Sequence, residues 1–230
     1  MDSQVQYQWE VLLIDDGSRD QSLSVMRQLR RKDPRVAFIS LSRNFGKENA
    51  MLAGFDHASG DCVIILDADL QHPPALIPDM LHLWEEGAQD VYARRDIARE
   101  SWLRRRLSRL YYSLLNRSTR FDVLENVGDF RLLDRRCILA LRQLRESQRY
   151  TKGMYVWIGF KKQEISYHEQ KRTAGQSSFN FRRLADLAID GLTSYTTAPL
   201  RLSTLIGLLS ALLAILYMVY VFIKTLVVGE

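Results

Sequence analysis

Between Leu202 and Ile223 the chain carries no charged residue, and no other feature limits its architecture as much. About 20 apolar residues in a helix cross the hydrocarbon layer of a bilayer, so this run has the length of a transmembrane span. A buried core helix is the competing reading, but an uncharged run of this length at a chain end favours the membrane. Everything upstream must then fold around a core of its own. A chain of 230 residues with 47% hydrophobic composition leaves room there for one sizeable domain. Three segments result: a globular domain over 1–180, a juxtamembrane amphipathic helix over 181–199 and the span over 200–226. Arg182, Arg183 and Arg201 precede the uncharged run, and no signal-peptide pattern opens the sequence. The positive-inside rule therefore places the globular part in the cytoplasm.

The upstream part alternates short β-branched runs with helical spacing, the pattern of an α/β domain whose mostly parallel sheet is covered by helices. Glu10–Ile14, Val36–Leu41, Cys62–Leu66 and Asp90–Ala93 read as strands. After the first of them Leu23, Met26 and Leu29 keep helical spacing, with Ser18 placed to cap the helix. A second helix runs from the Arg43-Asn44-Phe45-Gly46-Lys47 stretch to about His57, and Pro73-Pro74 introduces a third. Phe130–Leu133 and Gln163–Tyr167 read as later strands, with a helix to about Leu144 after the former. Glu100–Asn116 has the spacing of a basic amphipathic helix, and Phe181–Thr193 that of a helix lying along a bilayer surface.

The formal net charge of +5 suits an anionic partner such as a phosphorylated substrate or an anionic bilayer. Nucleic acid fits less well, because the arginine run from Arg94 to Arg109 is interleaved only with Trp102 and Tyr111-Tyr112. Cys62 and Cys137 lack metal-ligand spacing, and His57, His72, His82 and His168 are scattered. That pattern argues against a disulfide framework and a structural zinc site.

The strongest chemical signal is Asp67-Ala68-Asp69-Leu70-Gln71-His72-Pro73-Pro74, which emerges from an apolar strand where open α/β sheets bind ligands. If the chain stays extended, Asp67, Asp69 and Gln71 point the same way. Two carboxylates and an amide oxygen suit Mg²⁺ or Mn²⁺, and such an ion neutralises a diphosphate leaving group. A solvated turn is the plainer alternative. Asp15-Asp16-Gly17-Ser18 closes another strand, where an Asp can meet a nucleobase or ribose or simply hold a turn. Arg131 and Arg172 have the guanidinium geometry for phosphate, although each alone reads more readily as a surface charge.

Together, Asp15-Asp16-Gly17-Ser18, Asn44-Phe45-Gly46-Lys47, the Asp67–Pro74 stretch, Phe130-Arg131-Leu132 and the loop with Arg172, Gly175 and Ser177 resemble family 2 glycosyltransferases. The similarity is to the polyprenyl-phosphate branch, which includes dolichol-phosphate mannose synthases and undecaprenyl-phosphate glucosyltransferases. It implies a GT-A fold, a cytoplasmic catalytic domain and C-terminal membrane helices, with a bacterial inner membrane as the setting. It implies that Asp67, Asp69 and Gln71 bind the metal. Asp15, Asp16, Lys47, Asp67, Arg172 and Ser177 then bind the nucleotide-sugar, of UDP-glucose or GDP-mannose type. Asp69, Asp129 and Arg131 become the catalytic set, and Arg131 and Arg172 handle the acceptor phosphate. Self-association is also implied, since related enzymes can form tetramers. Members begin with a further strand and a Pro-x-Tyr-Asn-Glu-like motif, whereas Met1 falls just before what would be the second strand. They carry a second membrane helix, and Ser-Lys where this chain has Ser177-Ser178. The expectation from these ends is a shortened family member whose sheet lacks an inner strand.

A lipid phosphate is already anionic, so its oxygen can attack an anomeric carbon without a strong base, and in-line attack implies inversion. Asp129 then orients the acceptor or a sugar hydroxyl. Two other readings compete. A signalling receiver domain also places acids after its first strand and an Asp after a later one. A membrane-anchored remnant or interaction subunit would carry the same motifs without catalysis.

Overall fold

The computed structural model describes residues 6–69, 71–95, 106, 113, 127–146, 149–167 and 198–229. The arginine-rich stretch apart from Arg94, Arg95 and Arg106, the loop with Arg172 and Ser177, and the amphipathic stretch 181–197 lie outside them.

Strand β1 (Val11–Asp15) leads through helix α1 (Ser22–Lys32) to β2 (Val36–Ser40), and α2 (Lys47–His57) leads on to β3 (Cys62–Ile65). A single 3₁₀ turn over Pro74–Leu76 runs into α3 (Ile77–Glu85), where proline fits because its missing N–H has no partner in a first helical turn anyway. Then come β4 (Asp90–Arg95), β5 (Val127–Asp134), α4 (Arg135–Gln143), α5 (Thr151–Trp157) and β6 (Lys162–Tyr167). Asp134 caps α4, its carboxylate accepting from the Arg136 N–H. Ser18 does not cap α1 as its position suggests. That helix begins one turn later, where Asp20 accepts from the Ser22 N–H at 2.9 Å.

β1 and β2 pair in parallel, and a second sheet has the order β3-β5-β4-β6. β4 and β6 are parallel, but β5 runs antiparallel to both its neighbours. The sheet is thus more mixed than strand patterning alone suggests, because a strand's direction depends on the route of the chain into it and not on its own residues. No ladder joins β1 to β3. Glu10, just before β1, links the two instead, accepting from Ser59 N at 2.7 Å, Ser59 Oγ at 2.8 Å and Gly60 N at 3.3 Å.

β5 is the centre of the core. Side chains alternate across a strand, so Phe130 and Leu132 enter one cluster with Met80, Leu81 and Val91. Leu133 faces the opposite way into a cluster with Phe55, Ile138, Leu141, Met154 and Tyr155. Asp129 and Arg131 share the Leu133 face, so two charged groups are carried into the interior by a strand that is buried on both sides.

The C-terminal helix α6 (Ala198–Val228) contains the uncharged run. Leu202–Val227 has a mean hydropathy of 2.5 and none of it is buried against the rest of the described chain. By length and composition it is able to cross a membrane.

Candidate active site

Two sequence motifs meet directly behind β1 and β2. Asp15 is buried, its Oδ1 accepting from Ser18 N at 3.0 Å and its Oδ2 from Ser40 Oγ at 2.8 Å. Those hydrogen bonds, from Ser18 first and then Ser40, hold its carboxyl below the usual range. Asp16 reaches across to the next loop and accepts from Phe45 N at 2.7 Å and Gly46 N at 2.9 Å. Gly17 sits at φ +70°, and a Cβ there would lie 2.4 Å from the Arg43 carbonyl carbon. Glycine is therefore required twice over, by backbone conformation and by the close approach of a second chain segment. In this arrangement Asp16 and Gly17 grip the Arg43–Gly46 loop and so fix the start of α2.

The first residue of α2 is Lys47, and its ammonium group lies at the heart of the site. Nζ is 2.8 Å from Asp67 Oδ1, 2.9 Å from Asp67 Oδ2 and 2.8 Å from Asp129 Oδ2. The β3–β5 register explains why these acids converge. Ile65 is the partner of Arg131 across the antiparallel ladder, and continuing that register two residues further brings Asp67 opposite Asp129. Two carboxylates would repel there without a cation between them. Burial pulls the Lys47 ammonium towards neutrality, but Asp129 and Asp67 outweigh it and raise its pKa. Burial likewise works against Asp129, and Lys47, with help from Lys152 and Arg131, still holds its carboxyl below the ordinary value. Asp129 Oδ1 is buried with no hydrogen-bond partner among the described residues. An unpartnered carboxylate oxygen is costly, and it marks the place where a ligand's donor or a cation would be accepted.

Asp69 and Gln71 are not aligned with Asp67 by strand alternation, because β3 ends at Ile65 and Ala68–Asp69 form a turn. Asp69 Oδ1 accepts from Gln71 N at 3.2 Å within that turn. His72 pins the segment from below. Its ring stacks on Phe130 with centroids 4.9 Å apart, and Asp67 N donates to its Nδ1 at 3.3 Å. Burial lowers the His72 pKa, which keeps Nδ1 available as an acceptor. Arg131 is not at the surface. It is 2% exposed, with Nη1 2.9 and 3.2 Å from the two oxygens of buried Asp90 and its guanidinium carbon 3.6 Å from the Tyr155 ring centroid. Asp90 and Tyr92 share a face of β4 with Arg131 and Leu133 on β5, so the guanidinium is the counter-ion of a buried acid.

Sequence reasoning singled out neither Asp90 nor the residues of α5 that close the site. Glu48 Oε2 accepts from Thr151 N at 3.1 Å, tying α5 to α2. Burial raises the Glu48 carboxyl; the Thr151 hydrogen bond offsets this only in part, and the Asp129 charge adds to it. Lys152, next along α5, contributes to the field on Asp129. A signal for Glu48 existed in its place beside Lys47, but α5 is a seven-residue helix containing Gly153 and has no strong periodicity to read.

Among the described residues no group of three or more His, Cys, Asp or Glu side chains is gathered as a metal cage. The oxygen ligands in this region are the Asp67 and Asp69 carboxylates, the Gln71 amide oxygen and the Asp129 oxygen that has no partner among the described residues. All are hard oxygen ligands, and they fit Mg²⁺ or Mn²⁺ by chemistry.

Residues 3–141 match glycosyl transferase family 2. The bactoprenol glucosyl transferase of Shigella phage SfV is 42% identical over 225 residues, which cover 97% of this chain and 73% of that protein. The prophage bactoprenol glucosyl transferase homolog of Escherichia coli (strain K12) is 39% identical over 225 residues, with 97% and 74% covered. Among solved structures, glucosyl-3-phosphoglycerate synthase from Mycobacterium tuberculosis aligns over 80% of this chain and 68% of its own. Its TM-score of 0.47 at 18% identity makes it too remote to bear on the site. Family members generally use a divalent metal, and the match sets aside the receiver-domain reading. The chain belongs to glycosyl transferase family 2 and is a glycosyltransferase built on the GT-A fold.

Proposed function

We propose that this glycosyltransferase moves a hexose, with glucose the first candidate, from a nucleotide-sugar to a polyprenyl phosphate of the bactoprenol type, with inversion at the anomeric carbon. The observation that carries the proposal is the meeting of Asp67, Asp129 and Lys47 from three separate elements, with one Asp129 oxygen left unpartnered. Relatives named bactoprenol glucosyl transferase support the acceptor. The apolar α6 supports attachment to the membrane in which such a lipid resides. The donor would be held by Asp67 and Lys47, together with Arg172 and Ser177, with Asp15 and Asp16 fixing the loop that leads into Lys47.

Asp67, Asp69 and Gln71 would hold a divalent cation, which would supply charge neutralisation for a departing nucleoside diphosphate. The acceptor phosphate is already ionised, so no residue needs to remove a proton. Its oxygen forms the new bond to the anomeric carbon as the bond to the diphosphate oxygen breaks, and the electron pair leaves with the diphosphate. Asp129 orients a sugar hydroxyl or the acceptor through Oδ1. Lys47 and Lys152 place positive charge near Asp129, where phosphate oxygens would gather. Arg131, held by Asp90, fixes β5 and hence Asp129, and reaches the acceptor phosphate only if a substrate draws it from that pair.

Membranes carrying the chain, given UDP-[¹⁴C]glucose or GDP-[¹⁴C]mannose with Mn²⁺ or Mg²⁺, test this reading. Metal-dependent label in organic-extractable, acid-labile lipid, lost in Asp69→Asn, is the expected result. Label transferred only to water-soluble acceptors would overturn the lipid-phosphate assignment.

A further inference from the structure

The position between Asp67 and Asp129 is one that a cation bound by Asp67 would contest, and Lys47 Nζ stands in it at 2.8 Å from each acid. Three facts make the ammonium movable while its backbone stays in place. Asp16 holds Phe45 N and Gly46 N, so the loop before Lys47 is clamped. The Lys47 side chain is 48% exposed, so four rotatable bonds have open space to use. Asp129 Oδ2 already holds the ammonium at 2.8 Å, so the contact with Asp129 can persist when the one with Asp67 is given up.

We propose that Lys47 is an exchangeable internal cation: it bridges Asp67 and Asp129 before metal binding, and yields Asp67 to the incoming divalent ion while closing onto Asp129. Lys47 thereby makes acid convergence tolerable in the empty site and sets a threshold for metal loading. Once released from Asp67, it is a positioning residue that holds the Asp129 carboxylate in place beside the diphosphate. The inference rests on the metal reading above for Asp67, Asp69 and Gln71, and deepens it by giving the metal a competitor within the chain.

Mn²⁺ binding to the full chain in detergent, measured by isothermal titration and by electron paramagnetic resonance of the free ion, tests the exchange without any turnover. Lys47→Met removes the competitor and is expected to tighten Mn²⁺ binding about tenfold or more, the effect of deleting one adjacent positive charge. Lys47→Arg keeps the charge and is expected to bind Mn²⁺ no more tightly than the wild type. Because Lys47→Met leaves Asp129 without its counter-ion and is open to a folding defect, a second measurement uses the unaltered protein. Acetylation of Lys47 by an N-hydroxysuccinimide ester, followed by mass spectrometry, is expected to slow several-fold when Mn²⁺ is added, because the half-exposed amine is drawn onto buried Asp129, and not to change in Asp69→Asn. Mn²⁺ binding that Asp69→Asn weakens, but that neither tightens in Lys47→Met nor protects Lys47 from acetylation, overturns the exchange and leaves the metal reading standing. Absence of Mn²⁺ binding in the wild type overturns both.

Discussion

Two strand ends of this protein look alike as sequence and behave differently as structure. After β1 stand Asp15 and Asp16, and all four of their carboxylate oxygens accept hydrogen bonds from the chain itself. After β3 and along β5 stand Asp67 and Asp129. They share one lysine ammonium, and one Asp129 oxygen has no partner among the described residues. The first pair has spent its acceptors on holding a loop. The second keeps acceptor capacity in a buried place where only a ligand or an ion can use it. An acid at a strand end is thus scaffold or chemistry according to what its lone pairs already hold.

The comparison can be sharpened by removing the residues that support each end. The largest expected effect is on the ion pair beneath the reactive end. Arg131→Leu leaves Asp90 buried without a counter-ion and should cost about 3–5 kcal/mol of stability, read as a large fall in Tm. Replacing both partners, as in Asp90→Val/Arg131→Met, should restore much of the loss. Failure to do so would mean that Arg131 matters for more than Asp90. Asp129→Asn keeps size while removing the charge, and turnover should fall about a hundredfold or more with the chain still folded.

At the scaffold end the order of effects reverses. Asp16→Ala leaves Phe45 N and Gly46 N without acceptors and should cost about 1–3 kcal/mol. Because that loop carries Lys47, metal affinity should change along with Tm. The smallest effect is on acid stability. The Ser18 and Ser40 hydrogen bonds hold the folded Asp15 carboxyl below its unfolded value. Its contribution is therefore complete above the ordinary carboxylate range and lost as pH falls through the lowered value. Urea midpoints between neutral pH and about pH 3 should accordingly fall less steeply in Asp15→Asn than in the wild type.

Much of this frame was legible in the residues. Short apolar runs bounded by Asp, Gly and Pro gave strands β1 to β4 to within two residues, because local composition alone decides where such strands start and stop. The candidate Asp67 was visible for the same reason, standing beside an apolar run, whereas Asp129 was singled out only through the family resemblance. Their meeting was not visible, since it depends on β5 running antiparallel beside β3, a pairing between segments about 65 residues apart in sequence. The same long-range pairing buries Arg131 against Asp90, which as isolated residues read as a surface charge and a strand start. Asp67-Ala68-Asp69 was legible as chemistry and misleading as geometry: the extended alternation expected through Gln71 gives way to a turn after Ile65.

One paired experiment tests the difference between the two ends most directly. Asp129→Asn and Asp15→Asn would be prepared side by side, and each assayed for sugar transfer to polyprenyl phosphate and for Tm in the same detergent. The account predicts a crossed result, in which Asp129→Asn loses transfer while holding Tm, and Asp15→Asn loses Tm while each folded molecule keeps near-normal transfer. Full transfer by Asp129→Asn, or loss of transfer by Asp15→Asn with Tm unchanged, would contradict it.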